Sequence, residues 1–390
     1  MSDDARPPRH WRTTLIASTR RAPQPFPSLA PATQRGSTVV FERLADAVDD
    51  WQQRDRYTYG LYGTPTAIEL GLRLAELEGA RHTFIVPGGQ AALTLVYLAY
   101  CRTGAHVLAP ANAYASNLEI GRDLLAGLGI TVETYDPLAG SAIARQFRDN
   151  TALVWCESPG SITMEVQDVP AIVAAAQARA IPVALDNTYA AGVLFDAFAH
   201  GVDVSVQALT KYVGGHSDLL LGAISVADDA AYERVGTAHC VVGMAVSADE
   251  CTLALRGLQT LGVRLDRLER STLDVAMWLH PRPEIARVLH PAFRDCPGHE
   301  LWQRDFTGSS SVFSIVLADD WSAERTARFV DGLQLFKLGF SWGGVTSLVM
   351  AYPGSGRLGA ELSARLVRLN VGLEEPVDLI EDLRQALEKA

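Results

Sequence analysis

The chain has 390 residues, of which 48% are apolar and 20% charged, a composition typical of a globular protein large enough for two domains. Its formal net charge of −11 argues against a nucleic-acid partner or an anionic membrane, because both bind basic surfaces. The five scattered cysteines form no CxxC pair, the N-terminus is acidic, and no long apolar run is present. These features predict a cytoplasmic protein with reduced thiols and without a zinc site, a secretory signal or a membrane span.

The first two segments of the chain differ in periodicity. Residues 1–62 are rich in proline, and we predict an extended arm with one short helix near residues 41–54. Residues 63–250 begin with an amphipathic helix that ends at Gly79, and then alternate seven short apolar runs with helical segments. This alternation predicts a large α/β domain with a mostly parallel, seven-stranded sheet covered by helices on both faces.

The last segment, residues 251–390, predicts a smaller C-terminal α/β domain. Its strands are expected in "SSSVFSIVLA" and "RLVRLNVGL". Its helices are expected over residues 324–338 and 376–390, where apolar residues recur at helical spacing.

Several polar residues and glycines fall where the predicted strands end. Ligands of an open α/β sheet bind beyond the carboxyl ends of its strands, and the residues at these ends are Gly88, Gly89, Tyr114, Asp186 and Lys211. Each of them alone has a structural explanation, as a turn glycine, a surface tyrosine, a capping aspartate or a surface lysine. Together, at one edge of the sheet, they predict a ligand site.

Lysine is rare in this chain, which contains three lysines and 31 arginines. Lys211 nevertheless follows a predicted strand, in "QALTKYVGGHSD". An arginine in that place could neither lose its proton nor form an imine. A lysine near apolar groups and a cationic cofactor can do both, because its pKa falls from about 10. The position therefore predicts a nucleophilic lysine that also acts as a base.

The neighbouring motifs predict what the lysine binds. In "VPGGQAAL" a strand leads through two glycines into a helix, so backbone N–H groups near Gly89 can bind one phosphate, and the hydroxyl of Thr210 can assist. Asp186 ends a buried strand, where a carboxylate needs a cation such as a protonated ring nitrogen. A phosphate site, a ring-nitrogen carboxylate and an imine-forming lysine together predict pyridoxal 5'-phosphate, with Tyr114 stacked on its ring.

From about residue 35 to the C-terminus the sequence resembles the pyridoxal-phosphate enzymes of cysteine and methionine metabolism, and within them the cystathionine β-lyases. The resemblance rests on "YTYGLYGTPT", "PGGQAA", "ESPGSITMEVQDVP", "LDNTYAAGVLF", "TKYVGGHSD", "SWGG" and "RLVRLNVGLE". The run "ESPGSITMEV" is especially specific to the β-lyase branch. The resemblance implies the aspartate-aminotransferase-like fold (fold type I), a homodimer or homotetramer, and a part in methionine biosynthesis.

The same resemblance implies a role for each site residue. Lys211 would form the imine with the cofactor, Asp186 would hold the pyridine nitrogen, and Tyr114 would cover the ring and take part in catalysis. The phosphate ligands it implies are Gly89, Gln90, Thr210 and, from a neighbouring subunit, Tyr59. The residues it implies for the substrate α-carboxylate are Arg368, Ser341 and Trp342.

Three positions depart from the family pattern. Leu61 stands where the family usually has an arginine that binds the partner subunit's phosphate, and Tyr62 stands where β-lyases often have a second arginine. Position 208, often serine, is Ala208. The missing charges leave open how the far end of cystathionine is held, so a smaller substrate such as cysteine or an S-alkyl cysteine stays possible.

The sequence therefore predicts a carbon–sulfur β-lyase that releases a thiol, pyruvate and ammonia from cystathionine or a related cysteine thioether. The alternatives are a cysteine desulfhydrase or S-alkylcysteine lyase, a γ-lyase or γ-synthase on the same fold, and a catalytically silent cofactor-binding protein. A nicotinamide dehydrogenase is disfavoured because the GxGxxG fingerprint is missing. We expect His216 to be a packed, hydrogen-bonded residue with no catalytic role, and we expect no metal site.

Overall fold

The computed structural model describes residues 10–17, 28–48, 50–52, 56–355 and 359–390. Its large sheet has seven strands: β1 (His82–Val86), β2 (His106–Pro110), β3 (Thr131–Tyr135), β4 (Thr151–Glu157), β5 (Val183–Asp186), β6 (Val204–Ala208) and β7 (Gly222–Val226). They lie in the order β1-β7-β6-β5-β4-β2-β3. Strand β7 is antiparallel to both of its neighbours, and the other four pairings are parallel. The predicted mostly parallel, seven-stranded sheet is confirmed.

Helices cover both faces of this sheet because its strands are apolar on both sides. The helices of this part are α1 (Trp11–Ala17), α2 (Pro65–Glu78), α3 (Gly89–Tyr100), α4 (Ala115–Glu119), α5 (Val169–Gln177), α6 (Asp229–Val242) and α7 (Ala248–Leu279). Trp155 of β4 and Tyr97 of α3 are fully buried, with their rings 5.4 Å apart. Helix α2 ends as predicted at Gly79, which adopts a left-handed conformation with φ of 71°.

The smaller C-terminal domain is also present. Its five strands are β8 (Ile285–Leu289), β9 (Val312–Leu317), β10 (Lys337–Leu338), β11 (Leu348–Ala351) and β12 (Leu366–Asn370), in the order β10-β11-β12-β9-β8. Its helices are α8 (His299–Asp305), α9 (Ala323–Asp331), α10 (Ala360–Arg365) and α11 (Pro376–Lys389). The segment between β10 and β11 faces the end of strand β6, so the two domains meet beside Lys211.

Two sequence predictions of helices need correction. The helix expected over residues 324–338 ends at Asp331, because the backbone N–H groups of residues 334–336 donate to the carboxylate of Asp382 and the chain then enters β10. In place of the helix expected near residues 41–54, the described part contains a 3₁₀ turn at Leu44–Asp46. Residues 49 and 53–55 of that segment lie outside the described residues.

The predicted division at residues 62 and 250 stays a prediction. The second boundary falls in the first turn of α7, which packs against α2 of the large domain and α11 of the small one. Within the described ranges no helix is long and apolar enough to cross a membrane, and no cluster of three His, Cys, Asp or Glu residues could hold a metal ion. All five cysteines are free, and four of them are buried.

Candidate active site

Lys211 lies in a tight turn directly after strand β6. Its backbone N–H donates to the carbonyl of Ala208 at 3.0 Å, and its own carbonyl accepts from the N–H of Gly215 at 2.8 Å. The Lys211 amine donates to the hydroxyl of Ser341 at 2.7 Å and lies 5.5 Å from the ring centroid of Trp342. The fold thus brings Lys211 into contact with Ser341 and Trp342, two predicted site residues that lie about 130 positions further along the chain.

The surroundings of the Lys211 amine favour its neutral form. Burial and the positive charge of Arg368 lower the pKa of Lys211 from 10.5 to about 8, and the carboxylate of Asp186 opposes this shift. A lysine with a pKa near 8 is a neutral amine for a substantial fraction of the time at physiological pH, which a nucleophile and base requires.

Asp186 is the last residue of β5, and its carboxylate is held by Thr188. Both the backbone N–H and the hydroxyl of Thr188 donate to Oδ1 of Asp186, at 3.0 and 2.5 Å. The Thr188 hydroxyl also accepts from the backbone N–H of Ala208 at 2.9 Å, so it ties the end of β5 to the end of β6. Burial raises the pKa of Asp186 because the charged carboxylate is removed from water, while the hydrogen bonds from Thr188 and the positive charge of Lys211 oppose this shift.

The N-terminus of α3 lies against the end of β6. A Cβ atom added to Gly89 would come within 2.8 Å of the Cβ of Ala208, so only glycine permits this approach. Gln90 is the second residue of the helix and is exposed. The N–H groups of the first turn of a helix have no partner within the helix, so they are available for the anion that the sequence predicts here, and the anion site stays a prediction. The Thr210 hydroxyl, in contrast, exchanges hydrogen bonds of 3.2 Å with the backbone of Leu221.

Arg368 of β12 lies on the small-domain side of the site. Its guanidinium donates to the carbonyl of Ser341 at 3.3 Å and lies 5.6 Å from the ring centroid of Tyr352. Burial lowers the pKa of Arg368, and the phenols of Tyr352 and Tyr114 oppose this shift. Among the described residues these neighbours of Arg368 are a backbone carbonyl and two phenols, so its guanidinium is available to an anion, and its part in substrate binding stays a prediction.

Tyr114 begins helix α4, and its side chain is 44% exposed. Its backbone N–H donates to the carboxylate of Glu157 at 2.6 Å, and Glu157 of β4 is paired in register with Asp186 of β5. The backbone of Tyr114 is therefore held at the same strand ends as Asp186, and its phenol is near enough to Arg368 to influence the pKa of that guanidinium.

Tyr59, another predicted site residue, directly precedes the short 3₁₀ turn Gly60–Tyr62. It forms an isolated β-bridge with Thr38, is 47% exposed and packs edge-on against Tyr62. Leu61 and Tyr62 line a cavity with residues of α2, β1 and α6. His216 is hydrogen-bonded as expected, since its Nδ1 lies 2.8 Å from the carbonyl oxygen of Gly214. Its side chain is, however, exposed and not packed as the sequence predicted.

The described residues fit pyridoxal phosphate. Both hydrogen bonds from Thr188 go to one oxygen of Asp186, so the other oxygen can accept from a protonated ring nitrogen. The backbone N–H groups at the start of α3, where Gly89 approaches Ala208 of β6, are available to a phosphate. The amine of Lys211 has the lowered pKa that imine formation needs.

Sequence reasoning missed three residues of this site. They are Thr188, Glu157 and Tyr352. The spacing of Thr188, two positions after an aspartate, is typical of a local side-chain turn and was a usable signal. Glu157 and Tyr352 contact the site through strand pairing and domain packing, for which no local signal exists.

Comparison with known proteins agrees with this geometry. Residues 12–388 match the family described as "Cys/Met metabolism PLP-dependent enzyme". The chain is 41% identical to "Cystathionine beta-lyase MetC" of Escherichia coli over 95% of this chain and 96% of that one. It is 37% identical to "Cystathionine beta-lyase" of Haemophilus influenzae over 97% and 98%. Its structure resembles "Crystal structure of metB from Corynebacterium glutamicum", with a TM-score of 0.91, 26% identity and 98% of both chains covered.

Proposed function

Because the chain belongs to the family of pyridoxal-phosphate-dependent enzymes of cysteine and methionine metabolism, we propose that it catalyses β-elimination of a cysteine thioether such as cystathionine. The products are a thiol, pyruvate and ammonia. The chain is thus a pyridoxal-phosphate-dependent carbon–sulfur lyase, in keeping with relatives of that activity along nearly its whole length.

One observation carries the chemical part of the proposal. The Lys211 amine, with its pKa lowered to about 8, donates to the hydroxyl of a serine whose carbonyl also holds Arg368. A base and a carboxylate-binding cation are therefore fixed relative to each other through Ser341. This spacing suits an α-amino acid, whose Cα–H bond lies next to its carboxylate.

The remaining residues bind and orient. Asp186 would accept a hydrogen bond from the ring N–H of the cofactor, and the first turn of α3, at Gly89 and Gln90, would bind its phosphate together with Thr210. For Thr210 this requires its hydroxyl to turn away from Leu221. The ring of Tyr114 would cover the cofactor, and Arg368, with Ser341 and Trp342, would hold the substrate carboxylate.

Lys211 moves the protons of the reaction. When bound, pyridoxal phosphate supplies a conjugated cationic ring that withdraws the electron pair left at Cα. The neutral amine of Lys211 takes the Cα proton of the substrate and becomes an ammonium group. It then donates a proton to the β-sulfur as the carbon–sulfur bond breaks, so that the thiol leaves neutral. Hydrolysis of the remaining three-carbon fragment gives pyruvate and ammonia.

The substrate itself is the open part of the proposal. Leu61 and Tyr62 bring no positive charge to the segment next to Tyr59, although the cavity that they line also contains Arg56 and Arg81. The missing charges at positions 61 and 62 support, beside cystathionine, a shorter or less charged thioether such as cysteine or an S-alkyl cysteine. The γ-elimination alternative uses the same lysine and differs in its product.

We further propose a cytoplasmic dimer or tetramer that acts in methionine biosynthesis. Tyr59 is 47% exposed, so its side chain is open to a neighbouring molecule, which supports a role for it in the site of a neighbouring subunit. Its phenol would there contact the phosphate of that subunit's cofactor.

The test is a product assay on three substrates: cystathionine, cysteine and an S-alkyl cysteine. We expect pyruvate, formed together with one equivalent of thiol (sulfide from cysteine), from at least one of them. Formation of 2-oxobutyrate would instead establish γ-elimination. A protein that binds the cofactor and releases neither keto acid from any of the three would overturn the proposal.

A further inference from the structure

A buried arginine lies directly behind the turn that carries Lys211. Arg264 is on helix α7, and only 6% of it is exposed. Its Nη1 donates to the carbonyl of Tyr212 at 2.6 Å, and its Nη2 donates to the carbonyls of Gly257 at 2.8 Å and Val213 at 3.4 Å. Two of these three carbonyls belong to the residues that immediately follow Lys211.

The charge of Arg264 has no acidic partner in the described part of the chain. Its Nε donates to the hydroxyl of Thr260 at 3.1 Å, so all of its recorded partners are uncharged. Burial alone lowers the pKa of Arg264 to about 10. A buried cation without a counterion is unfavourable compared with an apolar side chain of similar volume. Packing alone does not explain an arginine here.

The helix and the turn approach each other as closely as their backbones allow. A Cβ atom added to Gly257 of α7 would come within 2.1 Å of the carbonyl oxygen of Val213. A Cβ atom added to Gly215, which has φ of 72°, would come within 2.2 Å of Nη1 of Arg264. Glycines on both sides therefore make room for the guanidinium and for its hydrogen bonds to the turn.

We propose that Arg264 is a positioning residue for Lys211. Its planar guanidinium fixes the carbonyls of Tyr212 and Val213 from behind, and so fixes the direction in which the Lys211 side chain leaves the turn toward Ser341. A planar fork presents its donors to several carbonyls in one rigid geometry, whereas the three donors of a lysine ammonium rotate about a single nitrogen on a flexible stem. The inference rests on the proposed role of Lys211, but it concerns the placement of the amine and not the identity of the substrate.

The experiment compares four variants: Arg264→Met, Arg264→Lys, Thr260→Val and, as the matched control, Arg270→Met. Arg270 is an exposed arginine of the same helix whose Nε donates to the carbonyl of Asp266 at 3.0 Å. Three readouts are taken on the full-length protein in its native oligomeric state, either as purified or after removal of the cofactor. They are the rate of pyridoxal phosphate uptake by visible absorbance, the pH midpoint of Lys211 acylation, and kcat and KM for pyruvate release.

We expect Arg264→Met to slow cofactor uptake and lower kcat by roughly 10- to 100-fold, the effect of a small misplacement of a reacting group, with KM changed much less. The pH midpoint of acylation should shift. Arg264→Lys should not restore either rate, Thr260→Val should show a smaller loss of the same kind, and Arg270→Met should match the unmodified protein.

Three results would overturn the inference. The first is a folded Arg264→Met with unchanged uptake and kcat, and the second is full restoration by Arg264→Lys. The third is an Arg264→Met variant that does not fold together with a Thr260→Val variant that behaves as the unmodified protein, which would make the role one of stability alone. If no thioether releases pyruvate, cofactor uptake and Lys211 acylation still report on Arg264. Failure of the proposed function can therefore be distinguished from failure of this inference.

Discussion

The amine of Lys211 and the hydroxyl of Ser341 are 2.7 Å apart, although 130 positions separate the two residues in the chain. Ser341 has φ of 84°, a left-handed backbone conformation that is unfavourable for a residue with a side chain. Its carbonyl also accepts from Arg368. Ser341 therefore links the proposed base to the proposed carboxylate-binding residue, across the boundary between the two sheets.

Two substitutions of Ser341 should distinguish the effect of its hydroxyl from the effect of its backbone conformation. Ser341→Ala and Ser341→Gly both remove the acceptor of the Lys211 amine, and we expect each to lower kcat by roughly 10- to 100-fold, equivalent to a hydrogen bond to a charged group. Ser341→Gly should have the higher melting temperature of the two, because glycine adopts positive φ without strain. Equal kcat in the alanine variant and the unmodified protein would show that the hydroxyl plays no part.

Lys211→Arg should retain the fold and the positive charge but abolish covalent attachment of the cofactor. Arginine cannot form an imine or accept the Cα proton, so we expect turnover to fall by several orders of magnitude. Pyruvate release and the visible absorbance of the purified protein measure the two effects, and circular dichroism verifies the fold. Near-normal turnover in this variant would refute the assignment of Lys211.

The lowered pKa of Lys211 can be measured because the chain contains only three lysines. In cofactor-depleted protein the rate of Lys211 acylation should have its midpoint near pH 8, and the labelling of Lys337 and Lys389 is followed in the same samples for comparison. Peptide mapping by mass spectrometry resolves the three sites. A midpoint for Lys211 near its ordinary value of 10.5 would contradict the electrostatics of the site.

The same shift predicts how stability depends on pH. Between pH 8 and 10.5 the unfolded chain binds the Lys211 proton and the folded protein does not, so Lys211 makes the cofactor-free protein more stable as the pH rises through this range. Lys211→Met should remove this contribution, which urea unfolding at several pH values can detect. An unchanged slope in the methionine variant would mean that Lys211 titrates alike in both states.

Asp186→Ala should slow removal of the Cα proton far more than it lowers stability. The carboxylate is buried and its pKa is raised, so without a cationic ring it contributes little to the folded state. The Cα deuterium isotope effect on kcat should increase in the variant, as proton removal becomes rate-limiting. Unchanged kinetics with a large drop in melting temperature would instead mark Asp186 as structural.

Substitutions of Tyr59 and Leu61 test whether this segment contacts the cofactor phosphate of a neighbouring subunit. Tyr59→Phe should speed cofactor loss during dialysis, and Leu61→Arg should slow it, because charge-assisted contacts to phosphate contribute up to about 3 kcal/mol. Cofactor release is followed by absorbance, and the oligomer by analytical ultracentrifugation. A fully active monomer, or a rate of cofactor release that neither substitution changes, would show that this segment is only a domain linker.

Much of the architecture is determined locally and could be predicted from the sequence. The end of α2 at Gly79 follows from a glycine after an amphipathic run, and the alternation of apolar runs with helices is enough for a mostly parallel sheet. Since parallel strands present their carboxyl ends at one edge, the sequence alone also indicates that Gly89, Asp186 and Lys211 lie at the same edge.

Other features depend on contacts between distant segments, for which the local sequence carries no signal. The end of α9 at Asp331 depends on Asp382, which accepts the N–H groups that would otherwise continue the helix. Arg264 is one of 31 arginines, and its burial behind Lys211 is decided by how α7 packs on the turn. The contact between Lys211 and Ser341 likewise exists because two domains meet there. The sequence determined which residues can do the chemistry, and tertiary packing, through burial and long-range hydrogen bonds, decided which of them meet.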